Sequence, residues 1–237
     1  MLTTLCALLV FRAETPKDVN QLMEFIRSDY ARQKGYSDEW KFTGQFDGHT
    51  VSYSRTLDNP RQRFEMTMDG SPVLLFGTDG KTEFTILFPA KTYYQEPPAK
   101  PDPKNDKPVE AEDQTFKFAF DSSGMELLSK PEMKIISLKS ETADGVKVRH
   151  LVAQAVNPTT GGRLQADVLF WPDAWIPTDV TVHVFHKDKP TDLIVHAVAT
   201  IKKEQTFAPS IFSLDPSLVK DFVKVTRDEM IKSIGGG

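Results

Sequence analysis

Apolar residues recur along this chain with two different periods, and the change from one to the other sets the expected architecture. Between Pro16 and Gln33, Val19, Leu22, Met23, Ile26 and Tyr30 fall at helical spacing, with Lys17, Asn20, Gln21, Glu24, Arg27 and Asp29 elsewhere. That spacing predicts an amphipathic helix with one buried face. Thr15 is placed to cap it, Pro16 to occupy its first turn, Asp18 to meet the positive end of its dipole and Gly35 to stop it. Beyond Gly35 the period becomes two. Trp40, Phe42 and Phe46 alternate with Lys41, Thr43 and Gln45, and Asp47-Gly48 supplies a hairpin turn into Val51 to Leu57. The alternation continues through Arg61 to Met68, where Phe64, Met66 and Met68 share a face. It turns at Asp69-Gly70 and Asp79-Gly80, passes Phe84, Ile86 and Phe88, and closes a first half at Tyr93 and Tyr94.

Residues 96–113, EPPAKPDPKNDKPVEAED, hold five prolines and almost nothing to bury, which predicts a mobile surface loop inserted between strands. Phe116, Phe118 and Phe120 then alternate again, Ser122 to Lys130 reads as a short helix, and Lys134 to Thr142 pairs across Asp144-Gly145 with Val146 to Gln154. Strands follow at Leu164 to Trp171, Thr178 to His186 and Asp192 to Lys202. A second helix is predicted from Asp215 as cap and Pro216, with Val219, Phe222, Val223, Met230 and Ile231 near one side. An antiparallel sheet of about ten strands twists and curls, and two helices need somewhere to bury their stripes. The expected fold is therefore mainly β with α: a large curved antiparallel sheet, an incomplete β-barrel, wrapped around the N-terminal helix, plus a C-terminal helix. One domain over 15–237 is expected behind an apolar segment at 1–14.

Composition narrows the function classes. Hydrophobic residues make up 39% of the 237 residues and charged residues 26%, as in an ordinary globular chain with a core. The formal charge is −4 and the lysines are interspersed with acids, so no stripe exists to neutralise phosphates and no nucleic-acid partner is expected. The single cysteine, Cys6, allows no internal disulfide and has no metal-ligand spacing around it. It lies in the run Leu2 to Phe11, too short to span a membrane as a helix but of the length of a secretory signal's apolar region, so export is expected.

Candidate chemistry is sparse. His183 and His186 fall on opposite faces of a strand and cannot share a metal without a bulge, and Ser122-Ser123-Gly124 lacks the Gly-x-Ser-x-Gly elbow. Asp47, Asp69, Asp79 and Asp144 each precede glycine, where a turn accounts for them. Gly161-Gly162 reads as a hairpin loop. No catalytic residue, metal or cofactor is assigned. What remains is the concave face, whose apolar lining is expected from Met23, Ile26, Trp40, Phe42, Phe64, Met66, Phe84, Ile86 and Phe118, and the proline-stiffened connection Trp171-Pro172-Asp173-Ala174-Trp175-Ile176-Pro177.

The leading helix ending near Tyr36-Ser37, the segment Asp79-Gly80-Lys81 to Phe84 followed by Pro89-Ala90-Lys91-Thr92-Tyr93-Tyr94, the Phe170 to Pro177 stretch and a late Phe212-Ser213-Leu214-Asp215-Pro216 together resemble the LolA-like envelope proteins. The resemblance covers most of residues 15–216 and implies a half-barrel. In it Phe212 to Pro216 would be a terminal strand. It also implies export to a periplasm or cell envelope and an apolar or lipid-modified partner, while the long Pro/Lys loop and added C-terminal helix depart from the carrier pattern. The expected function is a non-enzymatic binding protein holding a lipid or an acylated protein segment in the concavity, with no membrane-spanning part. The alternative is an envelope interaction or sensor scaffold with a filled barrel, acting on a protein partner through Trp171, Trp175 and the Pro-rich loop.

Overall fold

The computed structural model describes residues 15–44, 48–98, 133–143, 145–156, 162–186 and 189–235. The apolar N-terminal segment with Cys6, Phe46, Asp47, residues 99–113 of the Pro/Lys-rich loop, Phe116, Phe118, Phe120, the helix expected at Ser122 to Lys130, Asp144 and Gly161 lie outside them.

Helix α1 spans Val19–Ala31 and buries Val19, Leu22, Met23, Ile26 and Tyr30, the stripe expected from its spacing. Its start is corrected: Asp18, not Thr15, is the cap, its side chain accepting from the Gln21 backbone N–H at 2.9 Å. Asp18 combines an extended backbone with an oxygen that reaches the first free N–H groups, so Pro16 and Lys17 stay outside the helix. Gly35 follows the helix at φ +59° and accepts a hydrogen bond from Gln205 at 2.7 Å, tying the helix exit to the far end of the chain.

Among the described residues twelve strands form one sheet. The first half is an antiparallel meander of β1 (Tyr36–Gly44), β2 (Val51–Asp58), β3 (Arg61–Met68), β4 (Ser71–Thr78), β5 (Glu83–Leu87) and β6 (Thr92–Glu96). The second is β7 (Lys134–Ala143), β8 (Val146–Val156), β9 (Arg163–Phe170), β10 (Pro177–His186) and β11 (Lys189–Lys202). The halves join where β1 pairs antiparallel with β11, from Ser37 opposite Lys202 to Gly44 opposite Val195. The order is β12-β6-β5-β4-β3-β2-β1-β11-β10-β9-β8-β7, so the sheet is open, with β12 (Val223–Lys224) and β7 at its edges. The Asp-Gly turns set the register. Asp69 (φ +51°) and Gly70 (φ +74°) both take left-handed backbone, the twist a two-residue hairpin needs.

The expected C-terminal helix is broken into three pieces. Asp215 caps a 3-10 turn, Pro216–Val219, accepting from Ser217 N–H at 2.9 Å. The chain then runs extended as β12 parallel to β6, Val223 and Val225 donating to the carbonyls of Lys91 and Tyr93 at 2.9 and 2.8 Å. Only α2 (Arg227–Gly235) is helical. Open backbone groups on β6 compete with helix formation, and β-branched Val223, Val225 and Thr226 favour the extended choice. The segment at Phe212 is likewise corrected: Pro209–Phe212 is a 3-10 turn, not a strand.

Candidate functional site

Alternation assigns the two faces. In β1, Tyr36, Asp38, Trp40 and Phe42 are buried while their neighbours are more exposed. Register carries this parity through Tyr53 on β2, Phe64 and Met66 on β3, Leu74 and Phe76 on β4, and, through β11, to Ala197, Val180, Val168, Leu151 and Leu138. These residues and the α1 stripe make one core cluster. This inner face collects Met23, Ile26, Trp40, Phe42, Phe64 and Met66 from the expected lining. Tyr53 sits among aromatic neighbours, its ring centroid 5.9 Å from Trp40, 5.3 Å from Phe42 and 5.2 Å from Phe64.

Phe84 and Ile86 do not belong to it. They face outward with Leu75 and pack under Val219, Leu214 and Phe222 of the C-terminal segment. In β5 every residue from Glu83 to Ile86 is buried, because α2 and the C-terminal turns cover both faces, so burial alternation is lost and hydrophobicity no longer marks the inner side.

Two polar latches hold α1 against this apolar surface. At its C-terminal end, Asp38 and Arg55, opposite one another on β1 and β2, form a fully buried ion pair. Tyr36 Oη donates to Asp38 at 2.7 Å, and the Arg55 guanidinium lies 3.8 Å from the centre of the Tyr30 ring on the helix. Burial pushes Tyr30 up to about 12 and also raises Tyr36 and Tyr53 well above the usual phenol range, so all three stay neutral. Burial opposes the Arg55 charge, and Asp38 together with Tyr30, Tyr36 and Tyr53 outweighs it, so the guanidinium is held more firmly charged.

The second latch uses the tryptophan connection. The Trp175 backbone N–H donates to the Asp29 carboxylate of α1 at 2.6 Å. Its ring stacks on Phe25 at 5.9 Å, meets Phe170 edge-on at 5.4 Å and carries the Arg149 guanidinium at 4.6 Å. At 4% exposure Trp175 is a packing residue and offers no free surface, contrary to the expectation of a recognition anchor. Trp171 is half-buried under Lys203, whose Nζ lies 3.5 Å above its ring. Burial lowers the Lys203 and Arg149 pKa values, while Asp173 and Asp29 pull the other way.

At the β6 edge, α2 reaches the same inner face. Arg227 pairs with the buried Glu83 carboxylate at 2.6 Å, and Tyr94 Oη donates to the same oxygen at 3.1 Å. Among the described residues no group of three or more His, Cys, Asp and Glu is placed to hold a metal. No helix of the described residues is long and apolar enough to cross a membrane.

The helix does not cover the whole inner face. Thirteen residues make a cylinder about 20 Å long and 10 Å wide. Twelve strands at about 4.8 Å spacing span roughly 50 Å before curling. Partly exposed apolar residues therefore remain on both sides of it: Met66, Met68 and Leu87 on β3 and β5, and Ile135, Leu138 and Leu164 on β7 and β9. Between these margins the centre is closed, with Ile26, Trp40, Phe42 and Phe64 at most 1% exposed. Within it the buried Trp40 indole N–H has no hydrogen-bond partner among the described residues.

No family model matches the chain, and neither does any curated protein. Among solved structures, the Pseudomonas aeruginosa MucA/MucB complex matches with a TM-score of 0.45 at 9% identity, covering 83% of this chain and 61% of that one. A crystal structure of MucB in complex with MucA(peri) matches at 0.41 and 8%, covering 84% and 60%. A DUF1329 family protein from Desulfovibrio piger ATCC 29098 matches at 0.32 and 10%, covering 84% and 98%. The chain thus spans about three-fifths of the matched chains in the two MucA/MucB structures. These are distant likenesses, and the functional reading rests on this chain's own geometry.

Proposed function

We propose that this is an exported, non-enzymatic binding protein of the LolA-like kind that takes an apolar ligand, a lipid or an acylated protein segment, along the inner face of its open sheet. One observation carries the reading: the apolar inner face is wider than the helix seated on it and leaves exposed margins at Met66, Met68 and Leu87 and at Ile135, Leu138 and Leu164. Asp38 and Arg55, on the central strands of that face, neutralise one another, so neither presents an unpaired charge to an acyl chain lying along the margins. Unbranched methionines at one margin adapt to guests of different shape.

Met66→Arg and Leu164→Arg test this, because both sites are partly exposed and a charge there leaves the closed centre intact. Binding of a fluorescent polyene fatty acid should weaken at least about tenfold in each variant, with melting temperatures near that of the parent. Parent-like binding in both removes the margins from the site. The closed centre favours a second reading, a filled scaffold that binds a protein partner; a parent that binds no fatty acid up to about 100 μM supports it.

A further inference from the structure

The two edges of the sheet are treated differently. At one, the chain folds around β6: the turn at Pro216–Val219 and Phe222 cover Leu75, Phe84 and Ile86 outside, β12 adds two residues along the edge, and Arg227 engages Glu83 inside. At the other, β7 is hydrogen-bonded on one side only among the described residues, to β8. Its outward N–H and C=O groups form a template for another strand.

The side chains of β7 indicate which strand. A register shift between Ile135 and Ser137 ends regular pairing, leaving Ser137 to Ala143 as a seven-residue run. In it Lys139 and Glu141, one cation and one anion, share the outer face on either side of Ser140. The run has no net charge and so no bias towards an acidic or basic partner. It is complementary to itself. Antiparallel pairing about a two-fold axis through Ser140 sets Lys139 opposite Glu141 of the partner subunit, twice, and Leu138 opposite Thr142 of the partner subunit on the inner face. Among the described residues Lys139 has no ion pair, and Glu141, 3.1 Å from His150 Nδ1, keeps a side chain 44% exposed. Ile136 (57% exposed) and Val146 (57% exposed) flank the run and would be covered in part by the second copy. Because the opposite edge is occupied by the chain's own C-terminal segment, pairing stops at two copies rather than propagating into a filament.

We propose that the protein forms a two-fold dimer by antiparallel pairing of β7 with β7 of a second copy. Sedimentation velocity on the parent over a concentration series should show a monomer–dimer equilibrium. Lys139→Glu and Glu141→Lys each place like charges opposite one another at both symmetric positions and should weaken the dimer about tenfold or more. An equimolar mixture of the two variants restores opposite charges at both positions and should recover association, as should the double variant Lys139→Glu/Glu141→Lys. A parent that stays monomeric up to about 1 mM, a dimer indifferent to both single changes, or a mixture that fails to associate would each overturn the proposal.

Discussion

Replacing Arg55 by methionine should unlatch the first helix. Methionine keeps much of the volume but removes the charge. In the folded protein the Asp38 side chain is fully buried and accepts from Arg55 and from Tyr36 Oη at 2.7 Å. Without Arg55 the carboxylate is left with one donor in a site closed to water. Removing one partner of a buried pair costs about 3–5 kcal/mol, and losing the guanidinium stacked 3.8 Å from the Tyr30 ring adds about 1–2 kcal/mol. A total of about 4–7 kcal/mol is a large share of the roughly 5–15 kcal/mol by which domains are stable. The double change Asp38→Leu/Arg55→Met buries no charge and strands only the Tyr36 hydroxyl, at about 1–3 kcal/mol. It should therefore be more stable than Arg55→Met alone. Urea denaturation of Arg55→Met, Asp38→Leu and the double variant, followed by far-UV circular dichroism, gives the three values, and amide exchange shows whether the loss is concentrated in α1. An Arg55→Met cost below about 1 kcal/mol, or single costs that simply add to the double, would refute the latch.

Alkali should destabilise the protein ahead of general denaturation. Tyr30 ionises near 10 unfolded and about 12 folded, so its contribution is complete below pH 10 and is lost as pH rises towards 12. Stability should fall by about 1.4 kcal/mol per pH unit from Tyr30 alone, with Tyr36 and Tyr53 acting in the same direction; a urea midpoint that is flat over this range would contradict it. Trp175→Ala removes the stack on Phe25 and Phe170 and should cost about 3–5 kcal/mol, whereas Trp171→Ala, at a half-buried site, should cost far less; chemical denaturation ranks them. Gly35→Ala combines φ +59° with a new Cβ 2.5 Å from the Gln205 carbonyl oxygen, so a loss of at least about 1–2 kcal/mol is expected, and a melting temperature equal to the parent's would count against that close approach.

The periodicity of the chain carried most of the fold. The α1 stripe and the meanders from Tyr36 to Glu96 and from Lys134 to Lys202 were legible because one face of each is buried and the Asp-Gly turns fix register. Boundaries and ends were less so. Thr15-Pro16 is as good a helix start in composition as Asp18, and only the hydrogen bond to Gln21 decides between them. The C-terminal helix failed because its first half is captured by the open edge of β6, a tertiary competitor that local propensity does not contain. Phe84 and Ile86 were misassigned because β5 is covered on both faces. One signal could have been found: Asp38 and Arg55 each sit at inward parity among aromatic residues, and the hairpin register sets acid opposite base.

The central claim is that the inner face holds an apolar ligand, and native mass spectrometry of the protein purified from its source envelope fraction, followed by organic extraction and lipid analysis, addresses it most directly. A stoichiometric adduct that extracts as lipid or acyl chain, and that is depleted in Met66→Arg and Leu164→Arg, is the expected result. A clean apo mass for the parent, with no extractable lipid, would contradict the claim and leave the sheet as a filled scaffold.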